Sequence, residues 1–149
     1  DRWEKKADMP TARYFLSAVP VKGKIYALGG STYGPHQMVS INEEYDPVSD
    51  RWSKKAAMSV RRFGVKAVVI NGKIWAMGGA AGFEMSPVVG IYDPLKDIWT
   101  KGADILAPRA GAACVINGKI CLSGGAKTVK PPHPSVAEVY LYTPESRRE

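Results

Sequence analysis

Short apolar runs alternate along the chain with polar turn segments. Three of these runs follow a Gly-Lys pair and end on Gly-Gly, within residues 22–30, 71–79 and 117–125. Glycine at the second turn position tolerates the positive φ that a two-residue hairpin needs, and Asn-Gly in the later copies strengthens the signal. The pattern predicts an antiparallel hairpin at each of the three places.

The same pattern predicts further strands on either side of each hairpin. Tyr-Asp-Pro turns separate the later strands, because Asp can bond the backbone there and Pro presets φ. The segments 31–40, 80–87 and 126–135 differ between the copies and are predicted to be loops. The predicted strands are residues 1–9, 15–21, 25–28, 41–45, 51–58, 64–70, 74–77, 88–92, 98–103, 112–116, 120–123 and 137–142.

Five landmarks recur in register at a period near 50 residues. They are an arginine, the hairpin turn, the Gly-Gly pair, the Tyr-Asp-Pro turn and a tryptophan. Each arginine lies ten residues after its tryptophan, and the third Tyr-Asp-Pro is altered to Tyr-Thr-Pro. A stretch that returns three times is the unit of construction rather than an isolated site. Three of the landmarks lie at Trp3, Trp52 and Trp99; at Arg13, Arg62 and Arg109; and at Gly30, Gly79 and Gly125.

This set of landmarks resembles the kelch repeat, whose period is about 50 residues. The resemblance implies an all-β fold, a kelch-type β-propeller with three four-stranded antiparallel blades' worth of strands. It implies one kelch-repeat region over residues 1–149, with units at about 13–58, 62–105 and 109–144. The last unit lacks its fourth strand, and residues 1–9 supply an unpaired fourth strand.

Three blades are too few to close a propeller, which typically has about four to eight. An open arc would leave two apolar blade faces in water, and such faces mark interaction surfaces or aggregation. One explanation is a piece of a six- or seven-bladed domain, and the missing initiator Met favours a start within a longer protein. The other is a head-to-tail homodimer that forms a six-bladed ring, in which the strand carrying Trp3 completes the partner's last blade.

Loops after the second and fourth strands of an up-and-down blade share one side of a propeller. We name this side the variable-loop face: it comprises the loops 31–40, 80–87 and 126–135 and the connections leading to Arg13, Arg62 and Arg109. Long dissimilar loops on a rigid scaffold are where binding usually occurs. The candidate binding side chains on this face are Arg13, Tyr33, His36, Arg61, Arg62, Phe83, Glu84, Arg109, Lys127, Lys130 and His133.

The repeated arginines allow two interpretations. The resemblance to kelch adaptors implies that Arg13, Arg62 and Arg109 face a pocket for acidic peptide segments, since a guanidinium can bind a carboxylate bidentately. Alternatively, an arginine kept in every unit joins neighbouring blades through backbone carbonyls. Arg61 has no counterpart in the other units, which makes it the better ligand candidate.

Charge and composition narrow the class of partner. The net charge is +7, from 21 basic and 14 acidic residues, which favours an acidic partner. The basic residues are spread over many predicted strands without a nucleic-acid-binding motif, and no apolar run approaches the roughly 20 residues of a membrane helix. The predicted partner is a protein or acidic peptide, with neither nucleic acid nor membrane.

Catalytic and metal-binding patterns are scarce. His36 and His133 lie in different units, without a nearby carboxylate or cysteine at metal-ligand spacing. We therefore predict no catalytic residue, metal or cofactor, and a protein–protein interaction scaffold that binds through the variable-loop face. The alternatives are an enzyme or carbohydrate-binding propeller whose site is completed by other blades or a second chain, and a structural, self-assembling half-propeller.

The two cysteines lie on the strands of the third hairpin. With Asn117-Gly118 as its turn, Cys114 is directly opposite Cys121. Directly opposed cysteines on adjacent strands can form a disulfide only at a non-hydrogen-bonded position, where the two strands' side chains are closer, and the bond is usually strained. We predict two buried thiols, with a strained redox-active disulfide as the alternative.

Overall fold

The computed structural model describes residues 1–32, 37–132 and 134–144, and these ranges form strands, turns and irregular segments without a helix. No helix that could span a membrane occurs in them. The strands are β1 (Ser17–Val21), β2 (Lys24–Leu28), β3 (Asn42–Asp46), β4 (Arg51–Lys55), β5 (Lys66–Ile70), β6 (Lys73–Met77), β7 (Ala80–Ala81), β8 (Glu84–Met85), β9 (Gly90–Asp93), β10 (Ile98–Lys101), β11 (Ala110–Ile116), β12 (Lys119–Ala126) and β13 (Val139–Tyr142).

Three antiparallel sheets form three blades. Blade 1 has the order β1-β2-β3-β4, blade 2 the order β5-β6-β9-β10, and blade 3 the order β11-β12-β13. The first strands β1, β5 and β11 contact one another in series, so each blade is joined to the next along its first strand. The blades therefore form an arc, with the first strands on its inner side.

Turn chemistry explains why the sequence predicts these strands well. In the second hairpin Asn71 and Gly72 have φ angles of 50° and 71°, the left-handed pair that matches the twist of a two-residue hairpin. Eleven predicted strands, from 15–21 to 137–142, are confirmed with ends that shift by at most three residues. The short hairpin β7–β8 lies in a segment that was predicted to be a loop.

The predicted strand over residues 1–9 is wrong for this chain, because these residues form no strand in the structure. A strand requires backbone hydrogen bonds to a neighbour, and the described residues provide none for this segment. Trp3 is 102% exposed as a result. It stays a prediction that residues 1–9 form the fourth strand of another blade.

Apolar side chains fill the spaces between neighbouring blades. Alternate residues of a strand point to opposite faces of its sheet, so Val19 and Val21 of β1 face blade 2, where they pack against Ile74. Val68 of β5 in the same way packs in the core shared with Ile120 of blade 3. Each blade thus has a forward face toward the next blade and a backward face toward the previous one.

A hydrogen-bonded network, which we call the tryptophan joint, fastens blade 2 to the end of β4. The Tyr92 hydroxyl donates to Asp97 Oδ1 at 2.5 Å, and the Ala56 N–H donates to the same oxygen at 2.8 Å. Trp99 Nε1 donates to the Ala56 carbonyl oxygen at 2.7 Å, while its ring packs on Tyr92. Accepting these bonds lowers the pKa of Asp97.

The same joint occurs on blade 1, and there it holds the N-terminal segment. The Tyr45 hydroxyl donates to Asp50 Oδ1 at 2.6 Å, and the Ala7 N–H donates to the same oxygen at 2.9 Å. Trp52 Nε1 donates to the Ala7 carbonyl oxygen at 3.0 Å. The bond to Asp50 raises the pKa of Tyr45 to about 12. Ala7 therefore occupies, relative to blade 1, the position that Ala56 occupies relative to blade 2.

The predicted register of the cysteines is confirmed, and both are free thiols. Cys121 is half-buried, and its burial raises the pKa of its thiol, with Cys114 as a further cause. Cys114 is exposed, so the prediction of two buried thiols is wrong for that residue. It lies on the forward face of blade 3, and no further blade covers that face within the described ranges.

Candidate variable-loop site

The Gly-Gly pairs bring the variable loops close to the segments that enter the first strands. Tyr14 and Ser31 exchange backbone hydrogen bonds of 3.0 and 2.9 Å directly after the first pair. Phe63 and Ala80 do the same after the second pair, at 3.1 and 2.9 Å. The residues that follow Arg13 and Arg62 in sequence therefore lie on the variable-loop face.

The side chain of Arg62 is buried within blade 2. Its guanidinium donates to the carbonyl oxygens of Ala76, Gly78 and Val88, with Nη–O distances of 3.0, 3.3 and 2.5 Å. Its own backbone carbonyl accepts from Gly30 N–H of blade 1 at 3.0 Å. Burial lowers the pKa of Arg62 to about 10. This residue joins two blades through backbone groups.

The other two repeated arginines are also buried but have acidic partners. Arg13 Nη2 is 2.8 Å from Glu43 Oε2, and both side chains are fully buried. Arg109 Nη2 is 2.8 Å from Glu138 Oε2, and its guanidinium stacks on the ring of Tyr140 at 4.8 Å. None of the three guanidinium groups reaches the surface of this chain. The prediction that they face a binding pocket is corrected, because each guanidinium binds groups of its own repeat unit. The alternative interpretation holds only for the backbone: the carbonyl oxygens of Arg62 and Arg109 accept from N–H groups of the preceding blade.

Arg61, the next residue in the chain, has the opposite environment. It is exposed and lies at a groove of about 430 Å³ between the first variable loop and the connection from β4 to β5. Within the described ranges its guanidinium forms no side-chain hydrogen bond or ion pair. The groove is lined by Arg61 together with Thr32, Gln37, Met38, Val39, Ser40 and Ile41.

Three aromatic side chains beside the entry to β1 and β5 were not predicted as site residues. Tyr14 and Phe15 have ring centroids 5.2 Å apart, and Phe15 and Phe63 have centroids 6.0 Å apart. Phe15 is 63% exposed and has a φ of 52°, which is unfavourable for a bulky residue. The second repeat has Gly64 at this position, with a φ of 65°, so a comparison of the repeats could have identified Phe15.

The remaining predicted residues are spread over the second and third loops. The Lys130 ammonium lies over the Phe83 ring, 5.8 Å from its centroid, and thus joins two loops. Lys127 Nζ is 3.3 Å from Glu138 Oε1 at the surface, and Glu84 is exposed on β8. Tyr33, His36 and His133 lie outside the described residues.

The described part of the chain contains no group of three or more His, Cys, Asp or Glu side chains that could hold a metal ion. What the face does offer is an exposed guanidinium, further exposed ammonium groups and an accessible aromatic cluster. This arrangement suits the non-covalent binding of a chain that presents carboxylates and apolar side chains.

Comparison with known proteins identifies the repeat. The Kelch motif model matches residues 12–59. The chain therefore carries a kelch motif. Its structure is similar to the solved structure "Structure of YjhT", with a TM-score of 0.77, 17% sequence identity, and coverage of 85% of this chain and 49% of that one. At that identity the likeness shows the fold, and the kelch chain spans about half the length of the chain it matches. No curated protein matches it.

Proposed function

We propose that this kelch chain is a protein–protein interaction scaffold that binds an acidic peptide segment through its variable-loop face. The observation that supports the proposal most is the exposed guanidinium of Arg61 at the loop groove. The guanidinium of the buried Arg62 beside it donates its hydrogen bonds to backbone carbonyl oxygens. Arg61 is therefore the arginine of this pair whose donors can serve a ligand.

The chemistry of the face favours a peptide with both acidic and apolar side chains. Arg61, Lys127 and Lys130 are exposed on it. The carboxylates of Glu84 and of Glu138, which lies 3.3 Å from Lys127 Nζ, oppose only part of their charge. A guanidinium binds a carboxylate through two parallel hydrogen bonds, which adds geometric specificity to attraction. Exposed aromatic rings such as Phe15 provide apolar contact area at low entropic cost.

Arg61→Glu is expected to weaken binding of an acidic peptide by about tenfold or more, the value of losing one charge-assisted hydrogen bond. The probes are fluorescein-labelled peptides selected on the intact chain from a random displayed library, and fluorescence anisotropy gives their Kd. Because Arg61 is exposed, the melting temperature should stay within about one or two degrees of the parent value.

Lys54→Glu is the matched control, since it makes the same charge change at an exposed position on β4. It should leave the Kd unchanged, and the selected peptides should be enriched in Asp and Glu. If Arg61→Glu and Lys54→Glu weaken peptide binding equally, the loss comes from the change in net charge and not from a contact made by Arg61. Selected peptides without acidic residues would overturn the proposed ligand class.

Phe15→Gly is expected to weaken the same peptides while leaving the chain as stable as before or more so. Glycine adopts the φ of 52° without the cost of about 1–2 kcal/mol that a side chain adds in the left-handed region. Phe15 is exposed, so little core packing is lost. Urea denaturation and anisotropy together check this. A destabilised variant with unchanged peptide affinity would assign Phe15 to the scaffold instead.

A further inference from the structure

Both ends of the blade arc have open apolar faces. On the forward face of blade 3, Ile116 is 55% exposed and Leu141 62%. On the backward face of blade 1, Ile25 is 39% exposed, whereas its repeat equivalents Ile74 and Ile120 are 0% and 3% exposed. The same position in the repeat is thus buried wherever a neighbouring blade is present.

The outer edge of blade 3 lacks part of the tryptophan joint. Between blades 1 and 2, Trp99 completes the joint beside Ala56 and Tyr92. Between blades 2 and 3, the repeat equivalents Ala103 and Tyr142 border an apolar cavity of about 90 Å³. No tryptophan from blade 3 reaches this cavity within the described ranges, because no strand follows β13 there.

We propose that residues 1–9 of a second copy of this chain bind along β13 as the fourth strand of blade 3, with Trp3 in the cavity between blades 2 and 3. The geometry of the two observed joints assigns the contacts. Trp3 Nε1 donates to the Ala103 carbonyl, as Trp99 does to the carbonyl of Ala56. The Asp1 carboxylate accepts from the hydroxyl of Tyr142 and from Ala103 N–H.

The N-terminal segment carries the required groups at the required spacing. Asp1 and Trp3 have the same separation as Asp50 and Trp52, or Asp97 and Trp99. The joint on blade 1 already fixes Ala7, so the segment is anchored where a fourth strand of a preceding blade would lie. Trp3, in contrast, is fully exposed in the single chain.

A second copy of the chain can cover both open faces, the backward face of blade 1 and the forward face of blade 3, at the same time. Each copy donates residues 1–9 to the other, and the forward face of blade 3 covers the backward face of blade 1 across both junctions. Two copies supply six blades, within the usual range for a closed propeller.

The test is sedimentation equilibrium of the intact chain and its Trp3→Ala variant. The parent chain should sediment at twice its mass of 16.2 kDa. Trp3→Ala should raise the dimer dissociation constant by about 30-fold or more, the effect of truncating a buried tryptophan anchor. Since Trp3 is fully exposed in the single chain, the variant should keep the parent's circular dichroism spectrum.

Leu95→Ala is the matched control, because it removes an apolar side chain that is 77% exposed on the turn between β9 and β10 of blade 2, which has a neighbouring blade on each side. It should leave the dimer mass unchanged. A parent chain that remains a monomer at about 100 μM, far above the Kd of a specific dimer, would overturn the proposal. So would a Trp3→Ala variant that keeps the dimer mass.

Alkylation of Cys114 gives an independent readout of the junction. Its repeat equivalents Val19 and Val68 are 8% and 6% exposed beneath the next blade, so ring closure should bury this thiol. Iodoacetamide should modify Cys114 at least about tenfold faster in Trp3→Ala than in the parent, because reaction requires the open form. Equal rates in a dimeric parent would mean that the copies associate through another surface.

Discussion

Arg13→Met is expected to lower the free energy of unfolding by about 3–5 kcal/mol, the cost of leaving one member of a buried ion pair without its partner. Glu43 keeps its buried carboxylate in the variant, and among the described residues only the hydroxyl of Thr11, 2.8 Å from Oε1, remains as a side-chain donor. Methionine replaces the apolar stem of the arginine, so the loss reports on the ion pair and on the hydrogen bonds that the guanidinium donates to the carbonyl oxygens of Ala27, Gly29 and Ile41. Urea denaturation that gives the midpoint and the m-value measures it.

Two companion variants separate the charge from the hydrogen bonds to carbonyls. Arg13→Met with Glu43→Met should recover a large part of the loss, because no unpaired charge stays buried. Arg62→Met should cost only about 1–3 kcal/mol, since Gly90 stands where blade 1 has Glu43 and only carbonyl oxygens lose their donor. The opposite result would be a double variant that recovers none of the lost free energy of unfolding, together with an equal loss in Arg62→Met and Arg13→Met. It would mean that the hydrogen bonds from the guanidinium groups to carbonyl oxygens, rather than the ion pair, provide the stability.

The strands could be predicted because their signals are local and repeated. The turn at Asn71-Gly72 specifies its hairpin through φ angles that few residues adopt, and the other copies fix the register by comparison. Comparison of the repeats also distinguished Arg61 from Arg62. Arg61, absent from the other units, is exposed, whereas the repeated Arg62 is buried.

Features that depend on a neighbouring blade could not be predicted from the chain alone. Cys114 has the same place in the repeat as Val19, yet it is exposed because the blade that would cover it is not among the described residues. Residues 1–9 repeat the Asp and Trp spacing of the fourth strands β4 and β10 but have no partner strand among the described residues. In both cases the sequence pattern gives the orientation of a side chain or segment, and burial depends on what packs against it.

The candidate site was predicted in outline, and its aromatic part was missed. Loop length and dissimilarity predicted the face on which Arg61 and Phe83 lie, while their part in binding stays a prediction. Phe15 was assigned to a strand, because an aromatic residue in an apolar run favours that conformation. Its left-handed φ of 52° is set by the approach of the segment from the next blade, where Gly64 N–H donates to the Phe15 carbonyl at 2.8 Å.

Gly79→Ala is expected to cost about 3 kcal/mol or more, the sum of left-handed strain and steric overlap. Gly79 has a φ of +78°, and an added Cβ would lie 2.5 Å from the Phe63 carbonyl oxygen and 2.7 Å from Val65 N. The overlap would push Phe63 away from Ala80, whose N–H donates to the same oxygen at 2.9 Å. Urea denaturation of the variant against the parent chain measures the loss.

Gly72→Ala is the control that isolates the backbone strain. Its φ of +71° is nearly the same, but the nearest atom to an added Cβ is Lys22 Cε at 3.8 Å, in ordinary contact. This variant should cost only the left-handed strain of about 1–2 kcal/mol. Equal losses in the two variants would mean that Phe63 shifts freely, and that the Gly-Gly pair recurs for its backbone angles alone. A larger loss for Gly79→Ala makes the pair the point where the variable-loop face is held to the blade.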